Sequence, residues 1–141
     1  SLSDSFCVDR HRESFLDLID EYVDIVFCNE SEVLSLFQKD TLANCKRDLS
    51  SLCELVVVTQ GSNGSLIINK NDIEVIKSTN KGKVIDTTGA GDIYAGGFIH
   101  GLINNYSLKK CGEIGSICAG HIITQLGSRS NMVLKELLRE I

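Results

Sequence analysis

The sequence predicts an α/β layered domain with a mainly parallel sheet. Short apolar runs rich in valine and isoleucine alternate with longer segments whose apolar residues recur at helical spacing. The run ELVVVT at 54–59 is apolar from Leu55 to Val58, which is typical of a parallel strand covered on both faces. With 141 residues, 43% of them hydrophobic, the chain is expected to form one globular domain.

The individual elements follow from the same patterns in chain order. Residues 11–23 predict a helix with an apolar face made of Phe15, Leu18, Ile19, Tyr22 and Val23. Strands are predicted at 24–28, 54–59, 65–69 and 73–77, and further helices at 30–38, 41–52, 90–104 and 107–126. The turn KND at 70–72 predicts an antiparallel hairpin between the third and fourth strands. A last amphipathic segment covers 133–141.

The helix predicted at 90–104 is rich in glycine. Its expected buried face consists of Ala95, Phe98, Ile99, Leu102 and Ile103. Gly96, Gly97 and Gly101 lie within the same helix, where each glycine costs up to about 1 kcal/mol relative to alanine. We therefore expect these glycines to allow close packing and not to bind a ligand.

Charge and composition exclude several classes of partner. The net charge of −5, without a cluster of lysine and arginine, argues against nucleic acid. No segment approaches the roughly 18 apolar residues of a membrane span, and SLSDSFCVDRHR lacks the pattern of a signal peptide, so we expect a cytoplasmic protein without membrane contact. The six cysteines form no CxxC pair, which favours buried reduced thiols over a metal site.

The stretch DTTGAGD at 86–92 places a glycine-rich turn directly before a predicted helix. If the helix begins near Ala90, the backbone amides of residues 89–92 have no partner within it and face any ligand above its end. Glycine permits a close approach, and the helix dipole favours an anion such as phosphate. Asp92 would then take a proton from an attacking hydroxyl. The alternative is a plain turn in which Asp92 only complements the helix dipole.

Two more polar turns follow predicted strands. Asn29 and Thr59 lie at the C-terminal ends of their strands, where open α/β sheets bind ligands, and Gly61 and Gly64 come directly after Thr59. We therefore expect three turns to meet at one rim. Asn29 and Glu32 equally fit a helix capping box. Because such a box accepts glutamine, a metal role predicts that Glu32→Gln leaves stability nearly unchanged and raises the magnesium requirement. A loss of stability with unchanged magnesium dependence would indicate the cap alone.

The order of NESE (29–32), VTQGSNG (58–64) and DTTGAGD (86–92) resembles the C-terminal half of a ribokinase-like (PfkB) carbohydrate and nucleoside kinase. The opening SLSDSFCVDRHRESF is similar to the adenosine kinase branch. The resemblance implies a three-layer α/β/α fold with a mainly parallel sheet, in which residues 1–141 are the nucleotide-binding and catalytic-base portion and the N-terminal half and lid are absent. It also implies transfer of the γ-phosphate of ATP to a hydroxyl of a sugar or nucleoside such as ribose or adenosine.

The resemblance assigns a role to each motif residue. Asp92 is the catalytic base, and the anion hole is formed by Gly89, Ala90 and Gly91. The nucleotide is bound by Thr59, Gly61 and Gly64, while Asn29 and Glu32 organise Mg²⁺ and its waters. Asp86 and Thr87 match a loop that binds a monovalent cation such as K⁺ in some members, and the sequence leaves open whether this chain uses one.

Two alternatives from other classes stay open at this point. One is a remnant that binds nucleotide or a partner without catalysis. The other is an aspartic protease, suggested by Asp86 and Thr87 with a nearby Gly-Ala, although the helical patterns argue against it. Because the half that would position the acceptor is absent, the isolated chain is predicted to be inactive. An exposed sheet edge is expected to cause self-association.

Overall fold

The computed structural model describes residues 1–70, 72–79 and 82–137. In chain order the helices are α1 (Ser5–Arg10), α2 (Arg12–Tyr22), α3 (Glu30–Phe37), α4 (Lys46–Leu52), α5 (Ala90–Ile103), α6 (Leu108–Ile122) and α7 (Leu134–Leu137). The strands are β1 (Ile25–Asn29), β2 (Leu55–Thr59), β3 (Ser65–Asn69) and β4 (Asp72–Ile76). Short 3₁₀ turns occupy Leu42–Cys45 and Gly61–Asn63.

The four strands form one sheet in the order β1-β2-β3-β4. β1 and β2 are parallel, and their register places Asn29 opposite Thr59. The connections from β2 to β3 and from β3 to β4 are too short for a parallel crossover, so these neighbours run antiparallel and the sheet is mixed. The turn of the hairpin predicted at 70–72 includes Asn71, which lies outside the described residues. The α/β fold predicted from the sequence is confirmed.

The chain divides into two compact units. The first unit comprises Ser1–Gln60 and Leu66–Glu74, and the second comprises Gly61–Ser65 and Val75–Ile141. The expectation of a single domain stays a prediction.

In the first unit, helices α1, α2, α3 and α4 cover the strands around a core whose most buried side chains include Val8, Val33, Leu36, Leu49, Val56 and Val58. The sequence analysis missed α1 because six residues are too few to show an apolar period. Its start is set by Asp4, whose carboxylate accepts a hydrogen bond from the Cys7 amide at 2.9 Å. The single helix predicted at 41–52 is divided, with a 3₁₀ turn before α4.

In the second unit, α5 and α6 approach closely through glycine. A Cβ atom on Gly97 would lie 3.1 Å from the Gly115 Cα, and one on Gly101 would lie 2.8 Å from the Cys111 Sγ. Gly97 and Gly101 therefore permit close packing, as predicted. The prediction was wrong for Gly96, which is exposed and has nothing within 4 Å of its Cβ position.

The predicted buried face of α5 was wrong in part. The residues that are buried are Tyr94, Gly97, Phe98 and Gly101. Ile99 and Ile103 are 45% and 72% exposed, although both were expected in the core. The reason is that the glycines let α6 come close to the small-residue face, and this turns the two isoleucines outward.

The helix predicted at 107–126 is correct in type but too long at its C-terminal end. α6 ends at Ile122, and Leu134–Leu137 form a short helix within the predicted segment 133–141, of which 138–141 lie outside the described residues. The abundance of helix in the described ranges is incompatible with an all-β aspartic protease, so that alternative was wrong. Within the described residues, every helix is too short or too polar to span a bilayer.

Candidate functional site

The turn before α5 requires glycine at its last position. Gly89 caps α5 with φ +76°, in the left-handed region that side chains disfavour. A Cβ atom there would also lie 2.5 Å from the Cβ of Ser128, which belongs to the loop after α6. Backbone conformation and space both restrict this position to glycine. The sequence analysis did not anticipate the contact with Ser128.

The amides at the start of α5 are left largely open. The first helical bond runs from the Ile93 amide to the Gly89 carbonyl at 3.0 Å. The Ala90 amide donates to the Thr87 carbonyl at 3.1 Å, so the expectation that it would be free was wrong. Within the described part of the chain, the amides of Gly89, Gly91 and Asp92 have no acceptor. The helix therefore presents three unsatisfied donors at its positive end.

The residues at this helix start leave the amides accessible to solvent. Gly91 is exposed, and nothing lies within 4 Å of the position that a Cβ atom would take. Asp92 is the third residue of α5 and is also exposed. Its carboxylate accepts no hydrogen bond from the residues that the structure describes. Asp92 thus combines an available carboxylate with a neighbouring set of open amides.

The Asp86 carboxylate accepts hydrogen bonds that hold the turn in place. One carboxylate oxygen accepts from the Thr88 amide at 2.9 Å and from the Thr88 hydroxyl at 2.7 Å. The other oxygen accepts from the Gly127 amide at 2.9 Å. These bonds, from the Thr88 amide first and then from the Thr88 hydroxyl and Gly127, lower the pKa of Asp86 below its ordinary value. Asp86 therefore ties the turn to the loop after α6, while the cation role of Asp86 and Thr87 stays a prediction.

The polar strand ends of the first unit lie side by side. Asn29 ends β1 opposite Thr59, and the Thr59 hydroxyl donates to the Cys28 carbonyl at 3.3 Å. The Gln60 side-chain amide donates to the Glu30 carboxylate at 3.3 Å, a link between β2 and α3 that the sequence analysis missed. The expected meeting of two strand ends is thus confirmed for Asn29 and Thr59.

Asn29 and Glu32 form a complete capping box at the start of α3. The Asn29 side-chain oxygen accepts from the Glu32 amide at 3.0 Å and from the Ser31 hydroxyl at 2.7 Å. In return the Glu32 carboxylate accepts from the Asn29 backbone amide at 3.0 Å and from its side-chain amide at 2.8 Å. Glu32 is only 4% exposed. With both oxygens engaged, this carboxylate suits an indirect role beside a metal better than direct coordination.

The remaining predicted nucleotide residues belong to the second unit. Gly61 has φ +56° and open space at its Cβ position. Gly64 has φ +94°, and a Cβ atom there would lie 1.9 Å from the Ile76 carbonyl oxygen. Both positions favour glycine, the second for two reasons. That these turns and the strand ends of the first unit meet at one rim stays a prediction.

The cysteines are free thiols. Cys28, Cys45, Cys111 and Cys118 are buried, and burial is the main reason that the pKa of each lies above its ordinary value. A thiol with a raised pKa is a poor nucleophile at neutral pH. The described ranges contain no group of three or more His, Cys, Asp or Glu side chains that could hold a metal ion. The prediction of buried reduced thiols is confirmed for these four.

Comparison with known proteins gives matches along almost the whole chain. Residues 1–135 match the model of the pfkB family carbohydrate kinases. A nucleoside kinase of Methanocaldococcus jannaschii is 35% identical over 123 residues, which cover 86% of this chain and 39% of that enzyme. A probable sugar kinase of Rhizobium etli superposes with a TM-score of 0.95 and 41% identity, covering 99% of this chain and 42% of that structure.

A second solved structure supports the branch suggested by the N-terminal residues. The adenosine kinase of Sinorhizobium meliloti superposes with a TM-score of 0.95 and 38% identity, covering 99% of this chain and 43% of that structure. The chain thus spans about two fifths of the length of the relatives that it matches. Its motifs, its fold and these matches agree, and the chain belongs to the pfkB family of carbohydrate kinases.

Proposed function

We propose that residues 1–141 are the nucleotide-binding and catalytic-base portion of a kinase that transfers the γ-phosphate of ATP to a hydroxyl of a sugar or nucleoside. The observation that carries this proposal is the open end of α5, where three amides without acceptors lie beside the exposed carboxylate of Asp92. Oriented amides stabilise the charge that develops on a phosphoryl group, and a carboxylate can accept the proton of the attacking hydroxyl.

Each residue of this turn has a separate role in the proposed reaction. Gly89 and Gly91 bring backbone amides to the phosphate without a side chain in between. The Ala90 amide donates to the Thr87 carbonyl and is therefore not available to the phosphate. Ala90 acts only as the first residue of α5, whose dipole favours an anion. Asp92 is the general base. Thr59, Gly61 and Gly64 contact the nucleotide, as the family resemblance implies.

Magnesium would neutralise phosphate charge in this reaction. The capping box restricts how Asn29 and Glu32 take part, because both Glu32 oxygens already accept hydrogen bonds from Asn29. We assign Glu32 an indirect role, in which its buried negative charge orients water around the ion. A K⁺ requirement through Asp86 and Thr87 is a separate proposal, which a comparison of turnover in K⁺ and in a large organic cation tests.

The acceptor class is a sugar or a nucleoside. Relatives named as nucleoside, adenosine and ribokinases are 31% to 35% identical to this chain, which favours a ribose-containing acceptor. Contacts with that acceptor fall largely to the portion of the relatives that this chain does not match. We therefore expect residues 1–141 alone to bind nucleotide weakly and to show no phosphoryl transfer.

A second candidate function is a nucleotide-binding remnant without catalysis. It is supported by the open amides of Gly89, Gly91 and Asp92, because binding of a phosphate needs only this local backbone. The test is phosphoryl transfer to adenosine and to ribose by a full-length protein that contains residues 1–141. Transfer that Asp92→Asn removes supports the kinase proposal. ATP binding without transfer to any acceptor in a sugar and nucleoside panel supports the remnant instead.

A further inference from the structure

A buried pair of hydroxyl groups lies inside the second unit, close to the open end of α5. The Ser65 Oγ and the Tyr94 hydroxyl are 2.6 Å apart, and the two residues are 1% and 4% exposed. Ser65 is the first residue of β3 and directly follows Gly64, while Tyr94 lies two residues after Asp92 in α5. The hydrogen bond therefore joins the turn at 61–64 to the beginning of α5.

The ring of Tyr94 is held firmly. It stacks on Phe98 with ring centroids 6.4 Å apart and planes at 21°. A Cβ atom on Gly115 would lie 3.0 Å from the Tyr94 ring carbon Cε1, so α6 packs directly against the ring. Burial raises the pKa of Tyr94 above its ordinary value.

The serine end of the bond is fixed by its neighbour. Gly64 adopts φ +94°, and its Cβ position lies 1.9 Å from the Ile76 carbonyl oxygen, so the chain enters β3 along one narrow path. A phenylalanine at position 94 would fill the same space as the ring. What the hydroxyl adds is a bond with a set length and direction, which apolar packing alone does not impose.

We propose that Ser65 and Tyr94 are positioning residues, whose hydrogen bond sets the position of the α5 N-terminus against the turn at 61–64. The pair thereby orients the amides of Gly89 and Gly91 and the carboxylate of Asp92. The ligand part of this inference rests on the proposed function, because it takes nucleotide phosphate as the group that those amides bind.

Amide hydrogen exchange in the 141-residue chain tests the positioning without any ligand. In Tyr94→Phe, the bonded amides of Ala90 and Ile93 should exchange about fivefold faster, a factor that corresponds to one net hydrogen bond. The Cys111 amide, bonded to the Ser107 carbonyl in α6, is the internal reference and should be unchanged. Equal acceleration at all three amides, or none at Ala90 and Ile93, would overturn the proposal. Tyr106→Phe, at a tyrosine that is 49% exposed, is the matched control and should have no effect.

ADP affinity provides the second measurement. Tyr94→Phe, Ser65→Ala and the double variant should each weaken ADP binding by a similar factor of about five, because each removes the same bond. Additive losses would mean that the two residues act independently and not through their shared bond. A lower melting temperature with unchanged affinity would mean a purely structural role. Either result would overturn the proposal. If the unaltered chain binds no ADP, the proposed function fails, while the exchange rates at Ala90 and Ile93 still decide the positioning. If Tyr94→Phe does not fold, Ser65→Ala deletes the bond with a smaller change.

Discussion

Two polar turns of this chain use their hydrogen-bonding groups in opposite ways. At residues 29–32, the side chains of Asn29 and Glu32 satisfy each other and the start of α3, and Glu32 is buried. At residues 86–92, the start of α5 has no side-chain cap, and three amides and the Asp92 carboxylate lack partners among the described residues. One helix start is closed by its own residues, and the other is left open.

We propose that this difference separates a turn that stabilises the fold from a turn that binds a ligand. Unsatisfied donors at a helix end cost stability unless water or a ligand pairs with them, so a chain that leaves them open loses the gain of about 1 kcal/mol that a side-chain cap provides. The capping box in the first unit has that gain. The open turn in the second unit retains its capacity to bind an anion. This contrast supports our proposal that phosphate binds directly at α5 and that the start of α3 has a supporting role.

The largest expected effect comes from removing the available carboxylate. In a full-length kinase that contains this chain, Asp92→Asn should lower turnover by about 100-fold or more while ATP affinity stays nearly the same. Asp20→Asn, at an exposed aspartate of α2, is the control and should leave turnover unchanged. Steady-state kinetics at saturating ATP measures both. More than a tenth of the original turnover in Asp92→Asn would assign Asp92 to the helix dipole alone.

Closing the open turn with a side chain is the next largest change. Gly89→Ala adds a Cβ at φ +76°, 2.5 Å from the Ser128 Cβ. The variant should lose about 1–3 kcal/mol of unfolding free energy and should also lose ADP binding. Chemical denaturation and a binding titration measure the two losses. Gly96→Ala, exposed in the same helix with open space around it, should be neutral or slightly stabilising. Equal behaviour of the two variants would contradict the geometry of this turn.

At the capping box of residues 29–32, removing the charge of Glu32 should lower the stability of the protein. The expectation that Glu32→Gln leaves stability unchanged does not fit the contacts, because both carboxylate oxygens accept from Asn29 donors and glutamine offers only one acceptor. Asn29 has no freedom to flip its amide, since its oxygen already accepts two bonds. We now expect a loss of about 1–3 kcal/mol, read from denaturation midpoints. An unchanged midpoint would show that the buried carboxylate is not needed for the cap.

The smallest expected effect is a change in the stability of the protein at acidic pH, caused by Asp86 in the open turn. Because the folded-state pKa of Asp86 is lowered from 3.8, its contribution is present above that value and is lost as the pH falls through the lower folded pKa. Asp86→Asn should therefore reduce the slope of stability against pH below 3.8. Denaturation at a series of acidic pH values measures that slope. An identical slope in both proteins would mean that the hydrogen bonds from Thr88 and Gly127 do not persist in solution.

Features that depend on local sequence were predictable. The apolar run at Leu55–Val58 predicted a buried strand, and the spacing of Asn29 and Glu32 predicted the capping box. The glycine-rich turn before an apolar segment likewise predicted that a helix begins near Ala90, and Ala90 is the first residue of α5. The capping box and the start of α5 are set by hydrogen bonds within four residues along the chain, and the strand is marked by apolar residues that are adjacent in sequence.

Features that depend on distant partners were not predictable. The buried face of α5 depends on Gly115 of α6, and periodicity alone placed Ile103 in the core. The Asp86 bond to Gly127 and the Ser65 bond to Tyr94 join residues that no local pattern connects. The motif of the candidate site was therefore predictable from the sequence, and the distant contacts that support it were not.

A titration of the isotopically labelled 141-residue chain with ADP, without magnesium, tests the central claim most directly. If the open amides bind phosphate, the backbone signals of Gly89, Gly91 and Asp92 should shift and saturate together. The amides of Asn29 and Glu32 should not shift, because the former is bonded to the Glu32 carboxylate and the latter to the Asn29 side chain. Shifts confined to residues 29–32, or no shift at residues 89–92 at saturating ADP, would contradict the account.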